Sequence, residues 1–263
     1  IRKGMKLTAA QAGFILFSIQ TLLKSLGYKY KTGGQMLLSD GLKQNKEIDC
    51  DLYAVLFYSI AQSYGLPLKL LHMPIHLLTE WQGTPSFYWD STAKDLPSAL
   101  TTKRTYVYKG WISAKQAKLN CYFRPLSDED LRACAYTNVA NVLWDSYESN
   151  KDKKTLQKAC KLSEAAIKLS KEIPRTLALH CILTLKTGNA TRSLQHLRSC
   201  VHSSTLLIAL DPYYEVTPYF NRAMASMNLC NGVSISGYDK QDQLRNVRAN
   251  ATIRKLLTQA IAD

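Results

Sequence analysis

The stretch from Glu47 to Thr92 decides the fold, and it reads EIDCDLYAVLFYSIAQSYGLPLKLLHMPIHLLTEWQGTPSFYWDST. Between residues 54 and 61 its apolar side chains lie nearly all round a helical turn, which predicts a buried helix from about residue 50 to residue 64. Gly65 favours a helix end at this point, and Pro67 prevents the helix from continuing. Strands are predicted at 66–73, 76–81 and 87–90, with a turn at 82–86.

The sequence on either side of this stretch completes an α+β domain. Upstream, an apolar stripe with helical spacing predicts a helix from about residue 9 to residue 26, and a short helix is predicted at 35–42. Downstream, the pattern at 105–111 predicts a fourth strand, and 113–118 looks helical. Helices come first and a small antiparallel sheet follows, so residues 1–125 are predicted to form one α+β domain.

The strand patterns vanish after residue 126, and the rest of the chain is predicted to be an all-α domain at 126–263. The breaks between its apolar periodic segments contain asparagine, glycine and proline, which are typical of turns between helices. Helices are expected at 128–149, 153–172, 175–186, 190–208, 215–229 and 240–261.

Two features recur in this helical part. Apolar helix ends run into proline at Pro174 and again at Pro212, and the separation is close to the period of about 34 residues of tetratricopeptide repeats. The triplet Asn221-Arg-Ala223 stands before a helix turn. The segment therefore resembles a short, degenerate tetratricopeptide array. That resemblance implies a concave surface that binds a protein or peptide partner.

Charge and composition restrict the classes of partner. The net charge is +14, from 34 basic and 20 acidic residues. A basic face attracts nucleic acid, anionic membranes or acidic proteins, but the lysines are spread out and no nucleic-acid motif accompanies them. Nucleic acid is therefore the least favoured partner. The most apolar run, at 13–23, is short and contains polar residues, so no transmembrane segment is expected.

The seven cysteines indicate a reducing compartment. Their number is odd, their spacing is irregular and no CxxC motif occurs, which argues against a disulfide framework and against a zinc site. Cys134, Cys160, Cys181 and Cys200 fall in helical patterns and are interpreted as small core residues. A cytoplasmic location is expected. Because the sequence begins at Ile1, we expect that the chain was trimmed, which keeps secretion as an effector open.

Three residues in the opening stretch suggest nucleophilic chemistry. Cys50 stands at the predicted start of a helix, where the partial positive charge stabilises a thiolate. His76 begins one strand and Asp90 ends the next, which makes them cross-strand neighbours and allows a carboxylate to orient an imidazole. Asp49 and Asp51 flank the cysteine, and their charges oppose thiolate formation. Taken singly, each of the three residues is more often a packing or capping residue.

The same residues carry a family resemblance. Cys50-Asp-Leu-Tyr-Ala, Gly65-Leu-Pro, His76-x-x-x-Glu and Trp89-Asp-Ser-Thr resemble the core of the transglutaminase-like, papain-type superfamily. The resemblance implies that Cys50 is the nucleophile, His76 the general base and Asp90 the residue that orients it. Upstream segments at 22–28 and 37–42, with the helical repeats that follow, resemble one bacterial branch that has this domain order.

The expected function is therefore a cysteine-dependent acyl transfer on amide bonds of a protein or peptide, as in a protease, a deamidase or a transglutaminase. The oxyanion donors remain open between the backbone N–H of Cys50 and a side chain such as Gln44. No cofactor is expected. His72 and His76 with Cys50 are not expected to bind a metal, because Pro74 breaks the helical face that an i, i+4 pair needs. The alternative is a non-catalytic interaction module that keeps the same fold.

Overall fold

The computed structural model of the protein describes residues 7–31, 46–74 and 76–235, and the fold is mixed α+β with a small antiparallel sheet. The chain divides into two compact units, a first unit that ends at Leu131 and a second unit that begins at Arg132. The domain boundary predicted from the sequence, between residues 125 and 126, lies slightly earlier in the chain.

The first unit carries its helices before and after its strands. A Thr8 capping box, in which the threonine accepts from Gln11, starts the first helix. The helices are α1 (Ala9–Ser25), α2 (Cys50–Ser63), α3 (Leu96–Ala99) and α4 (Lys103–Tyr108), with a 3-10 turn at Gln116–Lys118. The strands are β1 (Lys29–Tyr30), β2 (Glu47–Ile48), β3 (Leu68–His72), β4 (Leu77–Trp81), β5 (Phe87–Trp89) and β6 (Leu100–Thr101).

The four strands from β3 to β6 form an antiparallel sheet in chain order. Leu68 pairs with Trp81 and His72 with Leu77, which defines the β3–β4 hairpin. The strands β1 and β2 form a separate parallel pair just ahead of the α2 helix. The α2 helix packs against both β3 and β4, so it lies against the hairpin.

The core of the first unit lies between α1, α2 and the sheet. Trp89 is fully buried, and a Cβ atom at Gly13 of α1 would lie 3.7 Å from its indole, which is an ordinary packing distance. The α1 helix therefore packs directly against this ring. The cluster also contains Leu16, Leu23, Ile48, Tyr53, Phe57, Leu68 and Trp81.

One strand prediction is wrong. Residues 105–111 were expected to form a fourth strand, but Lys103–Tyr108 is the helix α4, and the fourth strand is the two-residue β6 before it. The hydroxyl of Thr102 accepts a hydrogen bond from the Thr105 N–H and caps the helix, which outweighs the strand preference of the aromatic and β-branched residues. The short helix predicted at 35–42 and the last helix predicted at 240–261 lie outside the described residues.

All regular secondary structure described in the second unit is helical. The helices are α5 (Asp128–Asn150), which begins in the first unit, α6 (Lys153–Leu169), α7 (Pro174–Thr191), α8 (Leu194–Leu210) and α9 (Thr217–Ile235). They pack in succession, α6 on α7, α7 on α8, and α8 on α9. Asp152 caps α6 and Ser193 caps α8, while Pro174 occupies the first turn of α7, where its missing N–H removes no helical hydrogen bond. None of the helices in the described ranges has the length and apolarity needed to cross a membrane.

A buried histidine predicts acid sensitivity of the second unit. The Nδ1 atom of His180 lies 2.9 Å from the hydroxyl of Ser163, and burial lowers the pKa of His180 to about 4, with a smaller contribution from the charges of His196 and His202. The unfolded chain binds a proton at this side chain below about pH 6.5, whereas the folded chain does so only near pH 4. The contribution of the neutral His180 to the free energy of unfolding should therefore be fully present above pH 6.5. It should fall by up to about 3 kcal/mol as the pH drops towards 4, at about 1.4 kcal/mol per pH unit.

This is measured by urea unfolding between pH 4 and pH 7. His180→Asn is the matched control, because it offers a hydrogen-bonding group to Ser163 but does not titrate, and it should flatten the dependence in this range. An equal slope in the wild type and the variant would contradict the assignment to His180.

Candidate active site

His76 is positioned by the turn of the β3–β4 hairpin. The Met73 N–H donates to the His76 carbonyl at 3.0 Å, immediately beyond the last strand pair of the hairpin. The side chain of His76 is only 2% exposed. Trp111 lies edge-on to the imidazole, with ring centroids 5.5 Å apart. The hairpin backbone and the Trp111 ring therefore both restrict the position of the imidazole.

Asp90 meets His76 across the sheet. Its Oδ1 atom lies 3.2 Å from the Nε2 atom of His76, and both side chains are buried. Thr79 pairs with Trp89 in the β4–β5 register, so continuing that register sets Leu78 opposite Asp90. His76 is the next residue on the same face, and it reaches Asp90 as a diagonal neighbour. The sequence predicted the contact between the two residues, and the register shows that it is diagonal.

The carboxylate of Asp90 is surrounded by donors. Oδ1 also accepts from the backbone N–H and the hydroxyl of Thr92, at 3.0 and 2.7 Å, and Oδ2 accepts from the Tyr106 hydroxyl at 2.7 Å. Burial raises the pKa of Asp90, but the hydrogen bond and charge of His76, with the hydrogen bonds from Tyr106 and Thr92, outweigh burial and hold it well below its usual range. Asp90 is therefore ionised at neutral pH.

An ionised Asp90 determines which nitrogen of His76 carries the proton. A carboxylate only accepts hydrogen bonds, so the Nε2 atom must be the donor. In the neutral ring the lone pair then resides on Nδ1, the nitrogen that Asp90 does not contact. This is the arrangement of a base whose second nitrogen is held by an acidic residue.

Tyr106 is a part of this site that the sequence did not predict. It lies on α4, it is fully buried, and its hydroxyl donates to Asp90. Burial raises the pKa of Tyr106 strongly, and the Asp90 charge adds to this, so the phenol keeps its proton. The sequence pattern predicts a strand here, and the helix α4 is what brings Tyr106 to Asp90. An aromatic residue 16 positions after an aspartate is not a recognisable sequence motif.

Cys50 begins α2, as the sequence predicted. Asp49 caps this helix by accepting from the Leu52 N–H at 2.8 Å. The Cys50 Sγ atom lies 3.7 Å from the Oδ1 atom of Asp51, and the thiol is partly buried. The carboxylate of Asp51 accepts from the thiol in this arrangement.

The pKa of Tyr30 responds to charges at the start of α2 and to the charge of Asp90. Burial raises the pKa of the Tyr30 phenol, and negative charge on Cys50, Asp90, Asp49 and Asp51 raises it further, in that order. The phenol therefore lies within electrostatic reach of both the thiol and Asp90, although it is 39% exposed. It is a second aromatic residue beside the site that sequence analysis missed.

Gln44, the side chain proposed as an oxyanion donor, lies outside the described residues. The backbone N–H of Cys50 is in the first turn of α2, where helix N–H groups have no partner within the helix. No protein-family model matches this chain, and a search of the curated proteins found no match.

Replacing Tyr106 with phenylalanine should lower the free energy of unfolding of the first unit by about 1–3 kcal/mol, because a buried hydrogen bond to a charged group is lost. Urea unfolding measures this. Tyr108→Phe is the matched control on the same helix, since Tyr108 is 91% exposed and should change stability by less than about 0.5 kcal/mol. Equal effects of the two substitutions would contradict the role of the Tyr106 hydroxyl.

Replacing Asp51 with asparagine should make Cys50 more reactive, by roughly three- to fivefold at pH 7, because a negative charge 3.7 Å from the sulfur disfavours the thiolate. The rate of alkylation by iodoacetamide, followed by mass spectrometry of the Cys50 peptide, measures the effect. Asp49→Asn retains an N-cap and is the comparison variant. A slower reaction in Asp51→Asn would show that this carboxylate activates the thiol instead.

Proposed function

We propose that the protein is a cysteine-dependent acyl-transfer enzyme of the transglutaminase-like, papain-type class, acting on an amide bond of a protein or peptide. The observation that carries this proposal is the buried pair of His76 and Asp90, whose geometry leaves the lone pair of a histidine on Nδ1. Cys50 supplies the nucleophile from the start of α2, the helix that packs against the strands on either side of His76. The papain-like architecture of the first unit is part of the proposal.

The reaction proceeds in two halves. His76 Nδ1 takes the proton of the Cys50 thiol, and the sulfur attacks the amide carbonyl. The imidazolium then protonates the leaving amine or ammonia, and an acyl-enzyme thioester remains. Water attacks this thioester in hydrolysis or deamidation, and a primary amine attacks it in transamidation. His76 takes the proton of the attacking group, the C–S bond breaks, and this proton returns to the sulfur to restore the Cys50 thiol. Asp90 stays ionised throughout, because its hydrogen bonds stabilise the charge that balances the imidazolium.

The second unit is proposed to bind the protein partner. Its successive packed helices suit a tetratricopeptide-like array, which presents a concave surface to a peptide or a helix. A reducing, cytoplasmic location is also part of the proposal, and it rests on the odd number and irregular spacing of the seven cysteines in the sequence.

The second candidate function is a non-catalytic interaction module with the same fold. The observation that favours it is the contact between the Cys50 thiol and the Asp51 carboxylate, because it stabilises the protonated thiol. In such a module the His76–Asp90 pair would only hold the sheet together. A pull-down with wild-type protein and Cys50→Ala discriminates the two, since an interaction module retains its partner and its cellular effect in the variant.

Alkylation kinetics test the catalytic proposal. Iodoacetamide at a limiting concentration and pH 7 should label Cys50 at least about tenfold faster than Cys230, which is also partly buried and is the matched internal control. A glutamine-containing protein substrate with a fluorescent primary amine then distinguishes transfer from hydrolysis. If Cys50 reacts no faster than Cys230, the protein is the interaction module.

A further inference from the structure

We propose that Cys160, Glu164 and His196 of the second unit form a binding site for a divalent transition-metal ion, and that Zn²⁺ is the ion that fits it best. This site is separate from the proposed catalytic residues, which all belong to the first unit. Among the residues that the structure describes, no other group of three potential ligands of this kind comes together.

The three ligand atoms already lie near the distances that a bound ion requires. The Cys160 Sγ atom is 3.9 Å from Oε1 of Glu164, and Nε2 of His196 is 4.0 Å from the same oxygen. All three atoms lie within 4.8 Å of one another. Zinc bond lengths of about 2.0 to 2.3 Å in tetrahedral geometry place ligand atoms about 3.3–3.6 Å apart. Closing the site around an ion would therefore shorten the two separations from Glu164 by about 0.3–0.7 Å and the separation between Cys160 and His196 by at most about 1.2 Å.

The helices explain why these side chains converge. Cys160 and Glu164 are four residues apart on α6, so they lie on the same face of that helix. His196 lies in the first turn of α8. The site therefore joins two helices that are not consecutive, and its ligands are well separated in the sequence.

A second layer of contacts orients the histidine. Nδ1 of His196 lies 2.8 Å from the hydroxyl of Ser193, the residue that caps α8. When Nδ1 donates its proton to this hydroxyl, Nε2 carries the lone pair that binds a metal. Metal-binding histidines usually have such a partner on the second nitrogen, and here the helix cap provides it.

The ligand set selects the ion. A thiolate with an imidazole favours Zn²⁺ over Mg²⁺ or Ca²⁺, which prefer oxygen ligands only, and one carboxylate is compatible with zinc. Three protein ligands leave one tetrahedral position, which a water molecule can take. Binding also displaces the proton of the Cys160 thiol.

The sequence argued against a zinc site, because it contains no CxxC motif and because Cys160 was interpreted as a small core residue. Cys160 is indeed buried. Its sulfur, however, faces a carboxylate and an imidazole, and a core packing role requires neither.

Cobalt substitution provides the test. Full-length protein is treated with a chelator, the chelator is removed, and Co²⁺ is added while the absorption spectrum is recorded. A Co²⁺ ion bound to a thiolate gives a charge-transfer band in the near ultraviolet and intense visible bands when it is tetrahedral. Competition with Zn²⁺ then gives the zinc affinity, and we expect one ion per chain.

Three variants make the result specific. Cys160→Ser and His196→Gln should each weaken binding at least about 100-fold, and Cys160→Ser should also remove the thiolate band. Cys200→Ser is the matched control, since Cys200 is buried on the helix that carries His196 but is outside the cluster. Glu164→Gln changes a partly exposed residue, so it tests the site without altering the core.

The proposal holds if the band is present in wild type and Cys200→Ser and is absent in Cys160→Ser, with Glu164→Gln weakened at least tenfold and still folded by circular dichroism. It is overturned if the wild type gives no band, if Cys160→Ser keeps the band, or if Glu164→Gln binds as tightly as wild type.

Discussion

Cys50 in the His76→Gln variant should be alkylated about threefold more slowly than in the wild type at pH 7. An ordinary thiol is about 3% ionised at this pH, and a histidine that makes it more acidic by about two pH units raises the thiolate fraction about 25-fold. A more acidic thiol is also a weaker nucleophile, and a Brønsted coefficient of about 0.4–0.5 reduces the reactivity of the thiolate about six- to tenfold. The net loss of alkylation rate on removing the base is therefore about threefold.

The same substitution should reduce turnover more strongly, by about 10²- to 10⁴-fold, because a general base and acid acts in the transition state as well as on the thiol. Glutamine is the replacement of choice, since its amide can still donate to Asp90 and keep the buried carboxylate paired.

His72→Gln is the matched control for both measurements. His72 is equally buried and lies in the neighbouring strand, where it stacks on Tyr122 at 5.7 Å, away from the pair with Asp90. If the two histidine variants leave the Cys50 rate equal to that of the wild type, His76 is not the base.

Replacing Asp90 with alanine should lower the free energy of unfolding of the first unit by about 3–5 kcal/mol. Four hydrogen bonds end on this carboxylate, and the donors from His76, Thr92 and Tyr106 would be left buried without it. Truncating one partner of a buried charged pair typically has an effect of this size. Urea unfolding at pH 7 measures it.

Asp90→Asn separates stability from chemistry. The Thr92 N–H needs an acceptor, so the amide oxygen should take the place of Oδ1, where it still accepts from Thr92 and His76, and the NH₂ group should face the Tyr106 hydroxyl. The loss of stability should therefore be smaller than for alanine. The amide is uncharged, however, and cannot balance the charge of the imidazolium that forms when His76 takes the thiol proton. Turnover should therefore fall by up to about 10⁴-fold. An asparagine variant with full activity would contradict the proposed role of Asp90.

The stabilisation that Asp90 provides is lost at low pH. Folding lowers the pKa of Asp90, so the stabilisation is fully present above its ordinary value of 3.8 and is lost as the pH falls below it. The exposed helix cap Asp95 provides the comparison for the alanine variant, because its removal should lower stability much less than removal of the buried Asp90 carboxylate.

The sequence predicted the elements that depend on local patterns. The helix that begins at Cys50, the hairpin that carries His76 and the helical second unit follow from apolar spacing and from Gly65, Pro67 and Pro74, and the structure has all of them. The pairing of His76 with Asp90 was also predictable, since two adjacent strands separated by a short turn bring their ends together.

Contacts that depend on tertiary position were not predictable in the same way. Tyr106 reaches Asp90 only because its segment is a helix, and the alternation around Thr105 favoured a strand instead. The convergence of Cys160 with His196 requires the packing of two helices that are not consecutive, and no local spacing encodes it. The proximity of the Cys50 thiol to Asp51 depends on a side-chain rotamer.

The histidine–aspartate pair and its supports come from one continuous segment, residues 76 to 106, whereas the thiol is contributed by a separate helix. His76 and Asp90 thus stabilise the sheet whether or not a nucleophilic cysteine is present. In a relative that had lost the cysteine, selection for folding alone would still retain the histidine, the aspartate and the tyrosine. Survival of those three residues would therefore be poor evidence of an active enzyme, and the thiol would be the residue that separates an enzyme from an inactive descendant.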